Sequence, residues 1–594
     1  MRRKVYGLAA VTAVAALALA GCSGGSKDAQ SGGGADGSGA EGATDAVPAA
    51  DINPHDRGDL EEGGSLRFAM SGMPTYWNPM HTNGNTVDTS NIWGYTSVAN
   101  WIYNPDSTFE VNPNYVESYE FKEGDDAKNG KQEVVLHLNE KAAWNDGTPI
   151  TWVDYEATWK ACGKVEDPDA TEDGDEVSPF ECASTDGYSH WESVEQGDGE
   201  FDVVVTFREV FPDWSAALST VFPAAGVSDA ETFNSGWSEP NNDWLAGPFK
   251  VANLDEAQKT ITLERNEKWW GEPALLESMT FREMDPAAMG TGFANGEIDV
   301  LDGIIDAQQY LQAETRADAE IRRAGGLQWR HFTWNGESGL LQDKDLRVAV
   351  QRGVDRAAIT ESDLAGIPDL VPGDLVLNNH FFMPGQDGYK ANGEAFGYDP
   401  EKAEKELDDL GWVFEDGAEY RTKDGETLEF EYAMMPDVST SKNEGELLQA
   451  QLKEIGVKVN IKNVDAGGFF DETVIPGDFG VTTFTWQGTP YPMANITQLY
   501  GCGDNLAQNG GSNFTRICVP EIEDLAEKVA TTADHDKRLE LANEADELIW
   551  ENGMILPIYR RMEMTAVPSN LANFGAFGMS SVPAENIGFV RDDA

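Results

Sequence analysis

The sequence predicts a folded protein of mixed α and β structure. Three observations support this: stretches in which apolar side chains alternate, stretches with helix-start signals, and the interleaving of the two along the chain. At roughly 150 residues per domain, the 594 residues correspond to about four compact units. No repeat of about 20–50 residues is visible, which disfavours a solenoid or a propeller.

Strand patterns are clear at several places in the first half of the chain. Each has apolar residues at every second position, as expected for a strand with one buried face. The apolar positions are Val134, Leu136 and Leu138, then Phe201, Val203, Val205 and Phe207, and then Ile261 and Leu263, the last pair preceded by the 247–251 stretch GPFKV.

Helix signals fall between and after these strands. Thr151 followed by Asp154 resembles a capping box and predicts a helix start. The sequence Asp399-Pro400-Glu401 has a cap, a proline in the first turn and an early acid, and Gly411 ends that helix. One-turn spacing indicates one buried face for each of two helices, formed by Ala403, Leu407 and Leu410, and by Leu539, Ala542, Asp546 and Ile549.

The chain is strongly acidic. It has 42 Lys and Arg against 104 Asp and Glu, a formal net charge of −62. Phosphate recognition needs clustered Lys and Arg, and the only such block is Arg2-Arg3-Lys4, so an anionic membrane surface is disfavoured as a partner and nucleic acid is excluded. Such acidity is typical either of a high-salt habitat or of a negative exterior.

The first residues predict export and anchoring. A basic start at residues 2–4 and an apolar stretch over 5–19 form a secretory signal, and residues 19–22 (LAGC) resemble a bacterial lipobox. We therefore expect residues 1–21 to be removed and Cys22 to be lipidated, on the outer face of the cell membrane; a plain secreted protein is the alternative. Residues 22–55, rich in Gly, Ser and Ala, are a predicted flexible tether. No later segment has the ~20 apolar residues of a membrane span.

Four other cysteines predict two disulfides. An even number in an exported protein favours bridges, and proximity in the sequence suggests Cys162–Cys182 and Cys502–Cys518. A metal site is disfavoured because the chain has no CxxC, HxxxH or HExxH pattern. We expect no metal and no cofactor.

Seven segments contain recognisable motifs: a turn-and-cap motif, a GPF stretch followed by RN and two tryptophans, a GEID turn and three helix signatures. The segments are 144–151 (WNDGTPIT), 247–249 (GPF), 263–271 (LERNEKWWG), 296–299 (GEID), 346–356 (LRVAVQRGVDR), 398–412 (YDPEKAEKELDDLGW) and 452–457 (LKEIGV). In this order they resemble the segments of the bacterial peptide- and nickel-type extracytoplasmic solute-binding proteins of ABC transporters (family 5).

The resemblance implies a two-lobed periplasmic-binding-protein-like fold, type II and of the large peptide-binding class, with an extra inserted domain. Carried onto this chain, lobe I comprises 60–110, 240–333 and 556–594, the inserted domain 111–239, and lobe II 334–555. The chain would cross between the lobes near 334–335 and 555–557.

The resemblance also implies a function. A member of this family is a monomeric, non-enzymatic, lipid-anchored binding component that captures oligopeptides or dipeptides by lobe closure. It delivers them to the permease and ATPase subunits of an ABC importer and touches the membrane only through its anchor. Two alternatives share the fold: capture of another solute, such as an oligosaccharide or a cationic metabolite, and service as a non-transport surface receptor. A secreted hydrolase is a third, disfavoured because the lipase-like G-x-S-x-G pattern is absent.

The resemblance places the ligand between two aromatic segments. The loop 70–79 would line the cleft in lobe I, and the strand 484–489 would pair with a bound peptide in lobe II. Thr489 stands where peptide-binding relatives have an Asp for the ligand's ammonium group; Asp504 either substitutes for it or is an exposed acid. About half of the flat aromatic surfaces at Trp334, Trp486, Tyr491 and Tyr500 are expected in the core. The candidate ligand contacts are Met73, Pro74, Tyr76, Trp77, Trp334, Asn335, Trp486, Gln487, Gly488, Thr489 and Tyr491.

Overall fold

The computed structural model describes residues 47–163, 178–185, 187–466, 468–509 and 511–591. The predicted signal peptide, Cys22 and the tether up to residue 46 lie outside the described residues. Within the described ranges, no helix has both the length and the apolar character needed to cross a membrane.

The strands and helices alternate along the chain, so the predicted mixture of α and β structure is confirmed. The strands are β1 (Ser65–Met70), β2 (Trp101–Tyr103), β3 (Phe109–Val111), β4 (Val116–Glu123), β5 (Gln132–Leu138), β6 (Trp191–Gln196), β7 (Asp202–Phe207), β8 (Phe249–Asp255), β9 (Thr260–Arg265), β10 (Ser278–Glu283), β11 (Ala319–Trp334), β12 (Val413–Phe414), β13 (Arg421–Lys423), β14 (Glu426–Thr427), β15 (Glu429–Met434), β16 (Lys458–Asn463), β17 (Val481–Gln487), β18 (Ile555–Pro568), β19 (Leu571–Ala572) and β20 (Gly588–Phe589).

The helices lie between these strands. They are α1 (Val87–Thr96), α2 (Trp152–Cys162), α3 (Trp214–Ala217), α4 (Ala224–Val227), α5 (Ala230–Ser235), α6 (Pro286–Ala294), α7 (Ala307–Ala313), α8 (Lys344–Gln351), α9 (Arg356–Asp363), α10 (Pro372–Leu375), α11 (Pro400–Asp409), α12 (Ser439–Glu454), α13 (Ile496–Tyr500), α14 (Pro520–Thr531) and α15 (His535–Glu551). A single π-helical turn spans Phe469–Val474.

A four-stranded sheet in the order β1-β10-β9-β8 forms the core of the first part of the chain. The pair β1 and β10 is parallel and the other two pairs are antiparallel. Ile261 and Leu263 are fully buried on one face of β9, as their alternation predicts. They pack with side chains from α1, β10 and the C-terminal residues 571–587 in one apolar cluster.

A second, antiparallel sheet in the order β4-β5-β7-β6 has its own apolar core. The predicted strands are confirmed: Val134 and Leu136 on β5 and Val203 on β7 are fully buried. The start of α2 is also confirmed, since Thr151 N donates to Asp154 Oδ2 at 3.0 Å, which satisfies one free amide of the helix end. We call β2–β7 with α2 and α3 the antiparallel unit.

The third sheet, the central sheet, has the order β16-β15-β17-β11-β18. Strands β16, β15 and β17 are parallel, whereas β11 runs antiparallel to both β17 and β18. The long strands β11 and β18 pair over almost their whole lengths, except at a register break between Gly325 and Trp329. Their first part lies against residues 301–304, and their second part lies inside the central sheet.

The register break depends on a close backbone approach. A Cβ atom at Gly326 would lie 2.7 Å from the carbonyl oxygen of Arg561, so only glycine fits there without a shift. Leu327 O instead accepts a hydrogen bond from Gly488 N, at 2.8 Å, just beyond the end of β17. The break therefore joins the two long strands to the segment that follows β17.

The later helices behave as predicted. Asp399 caps α11 by accepting from Lys402 N at 2.9 Å, Ala403 and Leu407 are fully buried, and Gly411 has a positive φ of 86° after the helix end. On α15, Ala542, Asp546 and Ile549 are buried and Leu539 is half-buried. The polar member Asp546 accepts from the backbone and ring nitrogens of His380, both at 2.7 Å.

Both predicted disulfides are confirmed. Cys162 bonds Cys182, with Cα atoms 5.8 Å apart, and Cys502 bonds Cys518, with Cα atoms 4.8 Å apart. Both bridges close short loops, since the bonded cysteines are 20 and 16 positions apart in the sequence. In the chain-entropy model each contributes about 3 kcal/mol to stability.

One buried ion pair lies beneath the central sheet. Arg330 on β11 donates from Nε to Glu444 Oε1 on α12 at 2.8 Å and from Nη2 to the second carboxylate oxygen. Arg330 Nη1 also donates to Thr485 Oγ1 at 3.1 Å. Glu444 is fully buried and Arg330 is 3% exposed, so each charge depends on the other for compensation.

Replacing only Glu444 is expected to be severe. Glu444→Ala leaves the Arg330 charge buried without its partner, which lowers the free energy of unfolding by about 3–5 kcal/mol. The double variant Arg330→Met with Glu444→Leu removes both charges and is expected to be far less destabilised. Urea unfolding followed by circular dichroism measures both, and Asp409→Ala, at the exposed Lys405–Asp409 pair, is the control with little effect. Equal losses in the single and double variants would contradict the prediction.

Candidate functional site

One edge of β17 is only partly paired. On its β11 side the strand pairs over seven positions, from Val481 to Gln487. On its other side it pairs with β15 at only two, Val481 and Thr482. Among the described strands, Thr483–Gln487 therefore has a neighbour on one side only. Exposure rises along this stretch, since Phe484 is buried, Trp486 is half-buried and Gln487 is exposed.

Aromatic rings surround Trp486. Its indole lies parallel to the ring of Phe514, with centroids 5.8 Å apart, and parallel to the imidazole of His331, with centroids 5.9 Å apart. Phe484 meets Trp486 edge-on at 5.2 Å. Such offset and edge-on contacts are the favoured arrangements of aromatic rings. The half-buried indole is thus held in one orientation at the open end of β17.

Polar atoms within this cluster are buried without partners. Neither ring nitrogen of His331 has a hydrogen-bond partner among the described residues, and the same holds for Trp486 Nε1. Burial keeps the pKa of His331 well below its ordinary value of 6.5, so the imidazole is neutral. The cluster therefore carries no charge of its own next to the strand edge.

The turn after β17 is held by local hydrogen bonds. Thr489 Oγ1 accepts from Tyr491 N at 3.1 Å and donates to Tyr491 O at 3.2 Å. The side chain of Thr489 is thus occupied within its own turn. Asp504, the acid that could substitute for one at residue 489, is exposed on the surface.

Tyr491 reaches across to the antiparallel unit. Its hydroxyl lies 3.2 Å from that of Tyr103 and 3.0 Å from Ser215 Oγ. Burial raises the pKa of Tyr491 to about 12, so the hydroxyl keeps its proton and can donate. The segment that follows β17 therefore links the central sheet to the antiparallel unit.

The loop after β1 is anchored by two buried aromatic residues. Tyr76 and Trp77 are buried in the core of the first sheet, with the Tyr76 hydroxyl donating to Phe233 O and Trp77 N donating to Trp237 O at 2.8 Å. Met73 and Pro74 are half-buried. Of the four candidates in this loop, only Met73 and Pro74 present part of their side chains to the surroundings.

Trp334 and Asn335 lie at the far end of β11. Trp334 is fully buried against Phe430, with ring centroids 5.5 Å apart. The Asn335 amide donates to Phe479 O at 2.9 Å and to Gly477 O at 3.1 Å, which secures a turn. Tyr500 is also fully buried. The structure thus groups Trp486, Gln487, Gly488, Thr489 and Tyr491 at one place and puts Trp334 and Asn335 in the core; a ligand contact for any of them stays a prediction.

The described residues offer no metal centre. No group of three or more His, Cys, Asp or Glu side chains in the described ranges could hold a metal ion. The site instead consists of a backbone edge, rigid aromatic rings and hydroxyl groups, which suit an uncharged or backbone-mediated mode of recognition.

Comparisons with known proteins agree on one family. Residues 110–507 match the family model of bacterial extracellular solute-binding proteins, family 5. The oligopeptide-binding protein OppA of Mycobacterium tuberculosis (strain H37Rv) is 35% identical over 547 residues, which cover 91% of this chain and 87% of OppA. The nickel-binding periplasmic protein of Escherichia coli (strain K12) is 23% identical over 333 residues, covering 55% of this chain and 60% of that protein.

Solved structures show the same fold. A periplasmic EDTA-binding protein, EppA, superposes with a TM-score of 0.78 at 22% identity, covering 92% of this chain and 99% of EppA. The oligopeptide-binding protein AppA from Bacillus subtilis, solved with a nonapeptide, gives a TM-score of 0.67 at 19% identity, covering 90% of this chain and 100% of AppA. The predicted two-lobed periplasmic-binding-protein-like fold is thereby confirmed.

Two carboxylates near the register break, the half-buried Glu563 and the exposed Asp302, have no counterpart among the predicted features. Glu563 on β18 accepts backbone hydrogen bonds from Phe577 N at 2.8 Å and Gly578 N at 2.9 Å. Asp302 accepts from Thr565 Oγ1 at 2.7 Å. Partial burial, with the nearby charge of Asp302, raises the pKa of Glu563 to about 7. The one signal in the sequence was an acid in the middle of a largely apolar stretch.

Glu563 predicts a pH-dependent stability. The unfolded chain releases this proton near the ordinary pKa of 4.5, whereas the folded protein keeps it up to about pH 7. The stability that Glu563 contributes is therefore fully present below pH 4.5 and is lost as the pH rises towards 7. The melting temperature of Glu563→Gln minus that of the wild type should increase by about 2–4 °C between pH 5 and pH 8. Differential scanning calorimetry measures this, with the exposed Glu140→Gln as control; parallel curves for both variants would contradict it.

Proposed function

Because the chain belongs to the bacterial extracellular solute-binding proteins of family 5, we propose that it captures oligopeptides between two lobes and delivers them to an ABC importer. The permease and ATPase subunits of that importer are its proposed partners. The proposal includes a monomer that catalyses no reaction, and a lipid anchor at Cys22 on the outer face of the cell membrane.

One observation carries the peptide proposal. From Thr483 to Gln487, β17 has a strand neighbour on one side only, beside the half-buried ring of Trp486. An extended peptide adds to such an edge through main-chain hydrogen bonds, which do not depend on the peptide's sequence. The named relatives OppA and AppA, which bind oligopeptides by their names, support the same ligand class.

The absence of an acid at residue 489 shapes the proposed binding mode. Thr489 is engaged by Tyr491 within its own turn. The described residues of 486–491 include no carboxylate that could pair with a ligand's ammonium group. We propose that affinity depends on the peptide backbone and on aromatic contacts, and only weakly on a free α-amine.

We place the movement of the lobes at the register break in β11 and β18. Residues 329–334 and 555–560 pair within the central sheet, so we propose that they move with the second lobe, together with β15–β17. Ligand binding would favour closure through its higher affinity for the closed arrangement. A shift from 1:99 to 99:1 needs about 5.5 kcal/mol of such preference.

Modified peptides test the binding mode. Methylation of single amide nitrogens removes one donor at a time, so alternate positions should lose affinity by about tenfold while the positions between them change little. Acetylation of the N-terminus should change the dissociation constant by less than about threefold. Loss of a salt bridge to the α-amine would instead change it by about tenfold, which corresponds to 1.4 kcal/mol. Isothermal titration calorimetry with a set of four- to nine-residue peptides measures both. Failure of every peptide in that set to bind would overturn the proposal in favour of a non-peptide solute.

The aromatic contact is tested separately. Trp486→Ala removes the ring at the end of the free edge, and we expect the dissociation constant for all peptides to rise about five- to thirtyfold, because a buried aromatic contact contributes about 1–2 kcal/mol. Trp244→Ala is the matched control, because Trp244 is also half-buried and packs against another tryptophan, Trp237, in the first sheet's core. Equal binding by the two variants would remove Trp486 from the site.

A further inference from the structure

The antiparallel unit touches the second part of the chain through a buried ion pair. Arg538 on α15 donates from Nη2 to Asp213 Oδ2 at 2.6 Å and from Nη1 to Asp213 Oδ1 at 3.2 Å. The two residues are 325 positions apart, and their side chains are 4% and 10% exposed. Asp213 lies immediately before α3, in the antiparallel unit, so the pair joins two units that fold around separate cores.

The guanidinium of Arg538 is held in place by its own unit. Its Nε donates to Val529 O at the end of α14, at 2.9 Å. The two terminal nitrogens, Nη1 and Nη2, then face Asp213 in the planar, two-point geometry that suits a carboxylate. Arg538 is thus oriented for a single partner, and that partner belongs to the other unit.

Three further hydrogen bonds lie between the same units, and one of them is the 3.2 Å contact between the hydroxyls of Tyr491 and Tyr103. Ser215, two residues after Asp213, contacts the hydroxyl of Tyr491 at 3.0 Å. Gln386 Nε2 donates to Ser107 Oγ at 3.1 Å. The contacts come from three separate segments of the second part of the chain: the turn after β17, α15 and the loop around residue 386. Of these contacts, only the Asp213–Arg538 pair carries charge.

We propose that Asp213 and Arg538 are positioning residues that hold the antiparallel unit against the second lobe and thereby set the affinity for every ligand without touching any. The inference rests on the proposed binding function. Tyr491 belongs both to the candidate site and to the contact with Ser215, so separating the units also moves one wall of the site. The apparent dissociation constant rises in proportion as the population of the joined arrangement falls.

The buried setting explains why the pair acts on the arrangement of the units. An exposed pair would gain little, because water screens it whether the units are joined or apart. Here both charges lose their water only when the units meet, so each requires the other in that arrangement. Removing one charge leaves its partner buried and unpaired, which favours separation.

Single and reciprocal variants test the inference. Asp213→Asn and Arg538→Gln should each weaken binding by about tenfold for all peptides, with the ratios of affinity between peptides unchanged. The reversed pair, Asp213→Arg with Arg538→Asp, should recover binding to within about threefold of the wild type. Recovery in the reversed pair would show that the pairing of opposite charges, and not either side chain alone, supports binding.

A matched control is available in the first sheet. Arg67 also binds a carboxylate at two points within one unit, from Nε to Asp299 Oδ2 at 2.8 Å and from Nη2 to Asp299 Oδ1 at 2.7 Å, but this arginine is largely exposed. Asp299→Asn should therefore leave the dissociation constants unchanged. Wild-type circular dichroism spectra for all variants show that each is folded.

Three results would overturn the inference: unchanged affinity in folded single variants, a change in affinity that differs between peptides, and no recovery in the reversed pair. A peptide-dependent change would mean that the pair contacts the ligand directly. If no peptide binds the wild type, the proposed function fails, and the inference is then judged by small-angle X-ray scattering without ligand. In that case Arg538→Gln should have a larger radius of gyration than the wild type, and an equal radius would overturn it.

Discussion

The antiparallel pairing of β11 with β18 is the constraint on which the rest of the structure depends. These strands run from the first sheet's surroundings into the central sheet and are the longest in the described chain, with 16 and 14 residues. A break in register disrupts the ladder of main-chain hydrogen bonds locally and bends the strand. Within the described pairing of β11 and β18, the one interruption that shifts the register by more than one residue lies at Gly325–Trp329, where we propose that the two lobes move.

The same break organises the candidate site. Because Leu327 bulges out of the ladder, its carbonyl can accept from Gly488 N, and the segment after β17 is fixed there. The free edge of β17 and the ring of Trp486 lie immediately before Gly488 in the chain, and Tyr491 follows three residues after it. Recognition by a backbone edge with neutral rings would suit the proposed capture of many peptides, since main-chain groups are common to all of them.

The buried arginines of this acidic chain differ in the groups that they bind. With 42 basic residues against 104 acidic ones, most carboxylates are solvated and most interior cations are arginines that tie elements together. Arg356, for example, is buried and donates to Leu377 O at 2.6 Å and Pro557 O at 3.0 Å, and burial lowers its pKa to about 10. Arg330 and Arg538 instead bind carboxylates, one beneath the central sheet and the other between units. Strong net charge keeps the surface hydrated, while these paired charges define how the parts fit together.

The sequence alone determined the local structure. The alternation at Val134–Leu138, the caps at Thr151 and Asp399 and the two neighbouring cysteine pairs are short-range signals, and the physical forces that they reflect act within a few residues. Ordered motifs added the family, and with it the fold and the segment from Trp486 to Tyr491. The tertiary structure alone decided which aromatic residues are buried: Trp334 and Trp77 look no different from Trp486 in the sequence, because burial depends on elements hundreds of residues away. It also decided the register break, the raised pKa of Glu563 and the pairing of Asp213 with Arg538, since each arises from contacts between distant segments that no local pattern records.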